Sequence, residues 1–282
     1  MTDTGRTRVA IACQGGGSHT AFTAGVLKRL LGADELAGYE VVGLSGISGA
    51  AVCALLAWSA LLDGDPAAAG KLLEDFWADN SATTPLEQLV NAWVLWAARL
   101  EHLVVLPAVS PYDTPGSVAA LAEFRRMLER RVDFGRFAPS GDNGAPMLLV
   151  GTVDVLSGEF KAFNSRRDPI TADMILASAA IPTLFRAVQV EGGTYWDGLF
   201  SQNPPVRELV DTRPDELWVI QINPRRWASR PPGGGATPGR CWPGSPTTPS
   251  WSRSRRSSAG PRPSSGTAGS PPCTSAARAP RR

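Results

Sequence analysis

The sequence predicts an α/β fold built on a largely parallel sheet. Twice within the first 62 residues, a short apolar segment runs into a glycine-containing turn and then into a segment with helical spacing. Further short apolar segments recur up to residue 223, separated by helical regions. Strands that alternate with helices in this way are typical of a parallel sheet with helices packed on it.

In the first half of the chain, two strand–turn–helix units precede a helical region. The first strand, Arg8–Gln14, ends at three glycines and is followed by helical spacing through residues 22–31. The second strand, Val41–Leu44, passes through Ser45–Gly49 into an alanine-rich helix, Ala50–Leu62. Region 66–132 is predicted to be helical. It contains an apolar face over residues 86–96 and a second helix at Pro115–Arg131.

In the second half, two strands joined by a short turn precede a helix and three more strands. The predicted strands are Met147–Asp154, Glu159–Phe163, Ala187–Val190, Thr194–Trp196 and Leu217–Asn223, and the predicted helix is Thr171–Ala180. We therefore expect residues 1–226 to form one domain, which we call the body.

The last 56 residues, 227–282, have a different composition. They contain nine Arg, 11 Pro, 11 Ser and 8 Gly, and no Leu, Ile, Val, Phe, Tyr, Met, Asp, Glu or Lys. Such a segment buries too little apolar surface to offset its ordering entropy, so we expect it to be disordered. It is either a basic arm for nucleic acid or anionic lipid, a solvated segment without a role, or the product of a shifted reading frame. The abrupt loss of aliphatic and acidic residues favours the last.

The composition of the body excludes several classes of protein. With 19 basic and 26 acidic residues it carries a net charge of −7, which gives no reason to expect nucleic-acid binding. Its two cysteines, Cys13 and Cys53, form neither a disulfide framework nor a paired metal-ligand spacing. Residues 1–8 lack the apolar core of a secretion signal, and charges interrupt the apolar stretch at 93–106. We expect a cytoplasmic protein without metal or cofactor.

A candidate nucleophile lies in the turn after the second strand. The residues Gly46-Ile47-Ser48-Gly49-Ala50 match the Gly-x-Ser-x-Gly pattern except at Ala50. A serine on a tight strand-to-helix turn presents its hydroxyl above the sheet edge, beside the amides of a helix N-terminus. The alternative is that Ser48 is an ordinary helix cap. Ser45 is a second candidate, but its position within the strand predicts a packed side chain.

A glycine loop links the first strand to its helix. Backbone amides of Gly15, Gly16 and Gly17 can converge on an anion. Neither nucleotide-binding fingerprint fits, because Thr20 stands where the dinucleotide pattern needs Gly or Ala, and no Lys-Ser/Thr pair follows. An oxyanion loop beside Ser48 is the simpler interpretation, and a phosphate site is the alternative.

The sequence has no histidine in the position that an α/β-hydrolase triad requires, which is after the acidic residue. His19 and His102 are the two histidines, and none follows Asp197. A triad in the α/β-hydrolase order is therefore excluded. Asp197-Gly198, followed by Asn203-Pro204, supplies a carboxylate at a strand end. Its alternative interpretation is that of a turn-forming Asp-Gly pair.

Taken together, Gly15–Gly17, Gly46–Gly49 and Asp197-Gly198 resemble the three motifs of the patatin-like phospholipases, in the family's order. The stretches Ala177–Pro182 and Val219–Pro224 match as well, and the resemblance covers Arg8–Arg225. It implies a three-layer α/β/α fold and a Ser–Asp dyad. In this chain Ser48 would be the nucleophile, Asp197 the base, the amides of Gly15, Gly16 and Gly17 the oxyanion hole, and Gly46 and Gly49 the nucleophile elbow.

The resemblance also implies the reaction, which is cleavage of a lipid carboxylic ester through an acyl-enzyme. The substrate would be a phospholipid, lysophospholipid, acylglycerol or small ester. Region 85–115, with Trp93 and Trp96, would form either a lid, a peripheral membrane contact, or ordinary core packing. The chain departs from the family at His19-Thr20, at Ala50, and where the tail replaces C-terminal helices. A non-catalytic family member and a nucleotide-binding α/β domain are the alternative functions.

Overall fold

The computed structural model describes residues 5–32, 36–82, 110–113, 115–182, 184–223 and 250–255. Within them lie eight strands: β1 Thr7–Cys13, β2 Tyr39–Gly46, β3 Met147–Asp154, β4 Phe160–Asn164, β5 Val188–Val190, β6 Gly193–Asp197, β7 Glu216–Gln221 and β8 Ser250–Arg255. The α-helices are α1 Ala21–Leu31, α2 Gly49–Leu62, α3 Ala68–Asp79, α4 Pro115–Glu129 and α5 Ala172–Ala179. The strands predicted up to residue 223 are all present, with ends that differ by at most two residues.

All eight strands belong to one sheet. Its order is β5-β6-β3-β2-β1-β7-β8, and β4 pairs with β3 on its other side. The inner strands β3, β2, β1 and β7 are parallel, and the outer pairings are antiparallel. The predicted α/β class with a parallel central sheet is confirmed.

Helices cover both faces of this sheet, one of them far more heavily. The main core lies under α1, α2, α3 and α5. Helix α2 is buried from Ala50 to Ala60, so its small alanines allow it to lie close against the strands. The opposite face has a smaller cluster, Ala10, Ala12, Met147 and Leu149, which Leu209 covers from a 3-10 helix at Glu208–Thr212.

The strand register brings the sites on β2 and β6 to one edge of the sheet. Cys13 pairs with both Gly46 and Ile220, so the carboxyl ends of β1, β2 and β7 are level. Strand β4 occupies one side of β3 along most of its length, while β2 and then β6 pair with the other side. Strand β6 therefore pairs with β3 just beyond the point where β2 ends. Asp197, the last residue of β6, lies close to the carboxyl end of β2.

The tail contributes one described element. Strand β8 pairs antiparallel with β7, with Arg255 opposite Glu216 and Ser250 opposite Gln221. The composition of the tail did not predict a strand here. Pairing supplies hydrogen-bond partners to the edge of β7, which would otherwise be open. The other tail residues lie outside the described residues, and their disorder stays a prediction.

Region 83–109, which includes Trp93, Trp96 and His102, also lies outside the described residues. The expected lid or membrane contact over 85–115 therefore stays a prediction. Among the helices of the described ranges, none combines the length and apolar character needed to cross a bilayer.

The close packing around Gly46, at the end of β2 where the turn begins, can be tested by adding one methyl group. A Cβ at Gly46 would overlap the carbonyl oxygen of Ala50 and lie 2.7 Å from the nitrogen of Ala51. We expect Gly46→Ala to lower the free energy of unfolding by about 1–3 kcal/mol, measured by urea denaturation. Gly25→Ala is the matched control, because nothing lies within 4 Å of a Cβ on that exposed face of α1. It should be neutral or stabilising by up to about 1 kcal/mol. Equal effects of the two would contradict this packing.

Candidate active site

Ser48 occupies a strained turn between β2 and α2. Its φ of 59° and ψ of −136° lie in a region that side-chain-bearing residues seldom adopt. Ser48 precedes the first residue of α2, yet its side chain makes no capping hydrogen bond, whereas the Thr171 side chain accepts one from Met174 at the start of α5. The alternative interpretation, in which the Ser48 hydroxyl caps α2, is thus not supported by a hydrogen bond. Ser48 as a whole is buried, at 3% exposure.

Asp197 ends β6, opposite Thr152 of β3. Its two carboxylate oxygens have different surroundings. Oδ1 accepts the N–H of Leu199 at 2.9 Å, which is the turn contact expected of an Asp-Gly pair. Oδ2 is buried and has no hydrogen-bond partner among the described residues. A buried acceptor without a partner is uncommon in folded proteins, and it leaves Oδ2 with its capacity to accept a hydrogen bond or a proton unused.

Burial raises the pKa of Asp197 from 3.8 to about 6, while the Ser48 side chain and the Leu199 amide oppose the rise. The strand register also brings Asp197 near the turn that carries Ser48, because Gly46 and Asp197 pair with β3 only two residues apart, at Val150 and Thr152. No hydrogen bond of ordinary geometry joins the Ser48 hydroxyl to this carboxyl group, because Oδ2 is unpartnered. Catalytic hydrogen bonds are often long without a ligand and shorten when substrate binds.

The glycine loop does not act as one uniform set of donors. The Gly15 N–H donates to Oδ1 of Asn203 at 2.7 Å, and Asn203 Nδ2 donates back to the Gly15 carbonyl at 3.0 Å. The Gly15 hydrogen is therefore engaged within the protein, and the expectation that this amide belongs to an oxyanion hole stays a prediction. The N–H groups of Gly16, Gly17 and Gly49 have no acceptor in the described part of the chain.

The glycine loop lies directly against the nucleophile turn. A Cβ at Gly15 would overlap the carbonyl oxygen of Ile47, and a Cβ at Gly49 would lie 2.9 Å from the carbonyl oxygen of Gly17. Only glycine permits both approaches. The loop Gly15–Gly17 consequently lies next to the turn that carries Ser48.

The remaining sequence candidates have structural roles. His19 is exposed, with Nδ1 3.3 Å from the Gly16 carbonyl, and the Thr20 hydroxyl donates to the Gly17 carbonyl at 2.7 Å. His19 and Thr20, where the sequence departs from the family pattern, thus contact backbone carbonyls of the glycine loop. Ser45 is fully buried and donates to the carbonyl of Pro205, so it is packed as expected. Cys13 and Cys53 are buried free thiols.

Three residues support the site in ways that the sequence analysis did not assign. Asn203 fixes Gly15, as described above. The Gln14 side chain accepts the N–H groups of Ile222 and Asn223, both at 2.9 Å, and so joins the ends of β1 and β7. Ser178 accepts the N–H of Ser48. Asn203 and Ser178 lay in recognised motifs, but the sequence carried no signal for their partners.

Other features of the described residues lie away from this chemistry. No three His, Cys, Asp or Glu side chains gather in a way that could hold a metal ion within the described ranges. A cavity of about 480 Å³ lies beyond the end of α4, lined by residues 129–134, and it contains none of the candidate site residues. Neither feature adds a group to the site formed by Ser48, Asp197 and the loop amides.

Two solved structures share limited similarity with this chain. The structure is similar to that of VipD from Legionella pneumophila, with 13% identity and a TM-score of 0.38, covering 71% of this chain and 47% of that one. It is also similar to the type III effector protein ExoU, with 21% identity and a TM-score of 0.31, covering 64% and 41%. The chain spans less than half the length of either. A search of the curated proteins finds no match.

The family model described as patatin-like phospholipase matches residues 11–210. This range runs from β1 through the glycine loop, the nucleophile turn and the Asp197 motif to the 3-10 helix before β7. It covers more than two thirds of the chain. The chain therefore belongs to the patatin-like phospholipase family, a family of lipid hydrolases.

Proposed function

We propose that this protein is a serine acyl hydrolase that cleaves carboxylic esters of lipids with a Ser48–Asp197 dyad. The observation that carries the proposal is the buried, unpartnered Oδ2 of Asp197 beside the strained Ser48 turn. A carboxyl group with a pKa of about 6 is largely ionised at neutral pH and still basic enough to accept a proton. Family membership supports a lipid as the substrate class.

In the first half of the reaction, Ser48 Oγ attacks the ester carbonyl carbon while its proton passes to Asp197 Oδ2. The carbonyl oxygen becomes an oxyanion, which the free N–H groups of Gly16, Gly17 and Gly49 can stabilise, aided by the positive end of α2. When the carbon–oxygen bond to the alcohol breaks, Asp197 returns the proton to the leaving oxygen. The acyl group remains on Ser48.

In the second half, Asp197 takes a proton from a water molecule whose oxygen attacks the acyl carbon. The same amides stabilise the second tetrahedral intermediate. Collapse breaks the bond to Ser48 Oγ, which recovers its proton from Asp197, and the carboxylic acid leaves. No other titratable side chain is needed, which agrees with the exposed, loop-bracing position of His19.

The proposal is tested by measuring fatty acid release from phosphatidylcholine, lysophosphatidylcholine and diacylglycerol, with nitrophenyl butyrate as a small ester. We expect hydrolysis of at least one lipid ester and of the small ester. Absence of turnover on all four would contradict the proposal and favour a non-catalytic family member. A rise in melting temperature with a nucleotide, in the absence of ester turnover, would instead favour a phosphate site at Gly16 and Gly17.

The pKa of Asp197 predicts the pH dependence of turnover. Because the base must be ionised, kcat/KM for the small ester should fall as pH decreases, with a midpoint at about pH 6. An unperturbed aspartate would place this midpoint near 4. The measurement is a pH profile from 4 to 9, with stability checked at each pH. A midpoint near 4, or one near 7 to 8, would contradict Asp197 as the buried base.

A further inference from the structure

One segment at the C-terminal end of α5, Ser178–Ala180, hydrogen-bonds to the backbones of both dyad residues. The N–H of Ser48 donates to the carbonyl oxygen of Ser178 at 3.1 Å and to its hydroxyl oxygen at 3.0 Å. The N–H of Asp197 donates to the carbonyl oxygen of Ala180 at 3.0 Å. Ser48 and Asp197 are 149 positions apart in sequence, yet their amides meet acceptors two residues apart.

The Ser178 hydroxyl accepts the bond from the Ser48 N–H while its own hydrogen is donated elsewhere. Oγ donates to the carbonyl oxygen of Gly151 at 2.7 Å, which turns its lone pairs towards the N–H of Ser48. Gly151 lies on β3 next to Thr152, the residue that pairs with Asp197. Ser178 is fully buried, so water does not compete for these bonds.

From these contacts we infer that Ser178 is a positioning residue: it holds the strained backbone of Ser48 at a fixed separation from Asp197. The Ser48 conformation is costly and persists only where its surroundings enforce it. Two acceptors on one residue supply that restraint at the Ser48 amide. The inference rests on the proposed function, since the restraint matters for turnover only if Ser48 and Asp197 carry the chemistry.

The test compares Ser178→Ala with Ser59→Ala. Both substitutions remove the hydroxyl of a fully or almost fully buried serine, and the Ser59 hydroxyl donates within α2 to Leu56 at 2.9 Å, away from the dyad. We expect Ser178→Ala to lower kcat per folded molecule about tenfold, with KM changed by no more than about twofold. Ser59→Ala should change neither. Misfolding would lower the amount of active protein instead, which circular dichroism and active-site titration separate from kcat.

The acid limb of the pH profile gives a signature that general destabilisation does not. The Ser48 side chain lowers the pKa of Asp197, in opposition to burial. If Ser48 drifts in Ser178→Ala, that contact weakens and the acid limb moves to higher pH. Ser59→Ala should keep the wild-type midpoint.

Hydrogen exchange of the Ser48 amide tests the restraint independently of activity. We expect it to exchange about tenfold faster in Ser178→Ala than in the wild type or in Ser59→Ala. If the wild type hydrolyses esters but Ser178→Ala has wild-type kcat and exchange, the inference is wrong and the proposed function stands. If no ester is hydrolysed, the proposed function fails, and the exchange rates alone decide whether Ser178 restrains Ser48. Should Ser178→Ala fail to fold, Ser178→Cys retains most of the side-chain volume with a weaker acceptor, and unchanged kcat and exchange there would equally overturn the inference.

Discussion

Replacing Ser48 with alanine is expected to lower ester hydrolysis by about 10³-fold or more while the protein stays folded. The loss follows because no other described serine combines a strained turn, a side chain without a capping bond and a neighbouring unpartnered carboxylate. Stability should change by less than about 1 kcal/mol, since the Ser48 side chain makes no capping hydrogen bond to lose. The measurement is kcat/KM on nitrophenyl butyrate, with melting temperature as the check on folding.

Ser45→Ala is the matched control for this substitution. Ser45 lies three residues earlier, within β2, and its buried hydroxyl donates to the Pro205 carbonyl. Its loss should lower stability by about 1 kcal/mol and leave kcat/KM within a few-fold of wild type. A larger loss of activity in Ser45→Ala than in Ser48→Ala would identify Ser45 as the nucleophile and contradict the assignment.

Replacing Asp197 with asparagine is expected to abolish turnover and stabilise the protein at neutral pH. Activity should fall by about 10³-fold or more, because an amide cannot accept the Ser48 proton. The turn itself is preserved, since the amide oxygen of asparagine can still accept the N–H of Leu199.

The gain in stability follows from the raised pKa of Asp197. A carboxyl group with a pKa of about 6 when folded and about 3.9 when unfolded binds more protons in the folded state between those values. The free energy of unfolding of the wild type therefore falls as pH rises from about 4 to about 6, at a total cost of about 2–3 kcal/mol. Asparagine carries no charge and escapes this loss.

Asp197→Asn should thus be more stable than wild type by about 1–3 kcal/mol above pH 6, and the two should converge near pH 4. Urea denaturation at pH 4, 5, 6, 7 and 8 measures the difference. A variant that is less stable than wild type at pH 7 would show that the ionised carboxylate is satisfied in the fold, contrary to its unpartnered Oδ2.

Much of this fold follows from local patterns in the sequence. The strands were predicted because apolar segments of strand length end at glycine turns, as at Gly15 and Gly46. Ser48 and Asp197 could be paired before the structure because their motifs occur in the order of one family. Helix α2 was predicted from its alanines, and its burial from Ala50 to Ala60 agrees with that composition.

Other features could not be predicted because they depend on contacts that are distant in sequence. The Gly15 amide is engaged by Asn203, 188 residues away, so the sequence suggested three loop donors where two are free. The bond from Ser48 to Ser178 spans 130 residues and depends on where α5 ends over β3. Strand β8 was missed because Ser250–Arg255 lacks the aliphatic residues that mark a strand, and its order comes from backbone pairing with β7.

The central claim, that Ser48 is a nucleophile activated by Asp197, is tested most directly by mass spectrometry after reaction with a fluorophosphonate. The reagent forms a phosphorus–oxygen bond with an activated serine and releases fluoride. We predict one adduct, on the peptide that contains Ser48, absent from Ser48→Ala and formed far more slowly by Asp197→Asn. An adduct on Ser45 or Ser178, or equal labelling of the wild type and Asp197→Asn, would contradict the dyad.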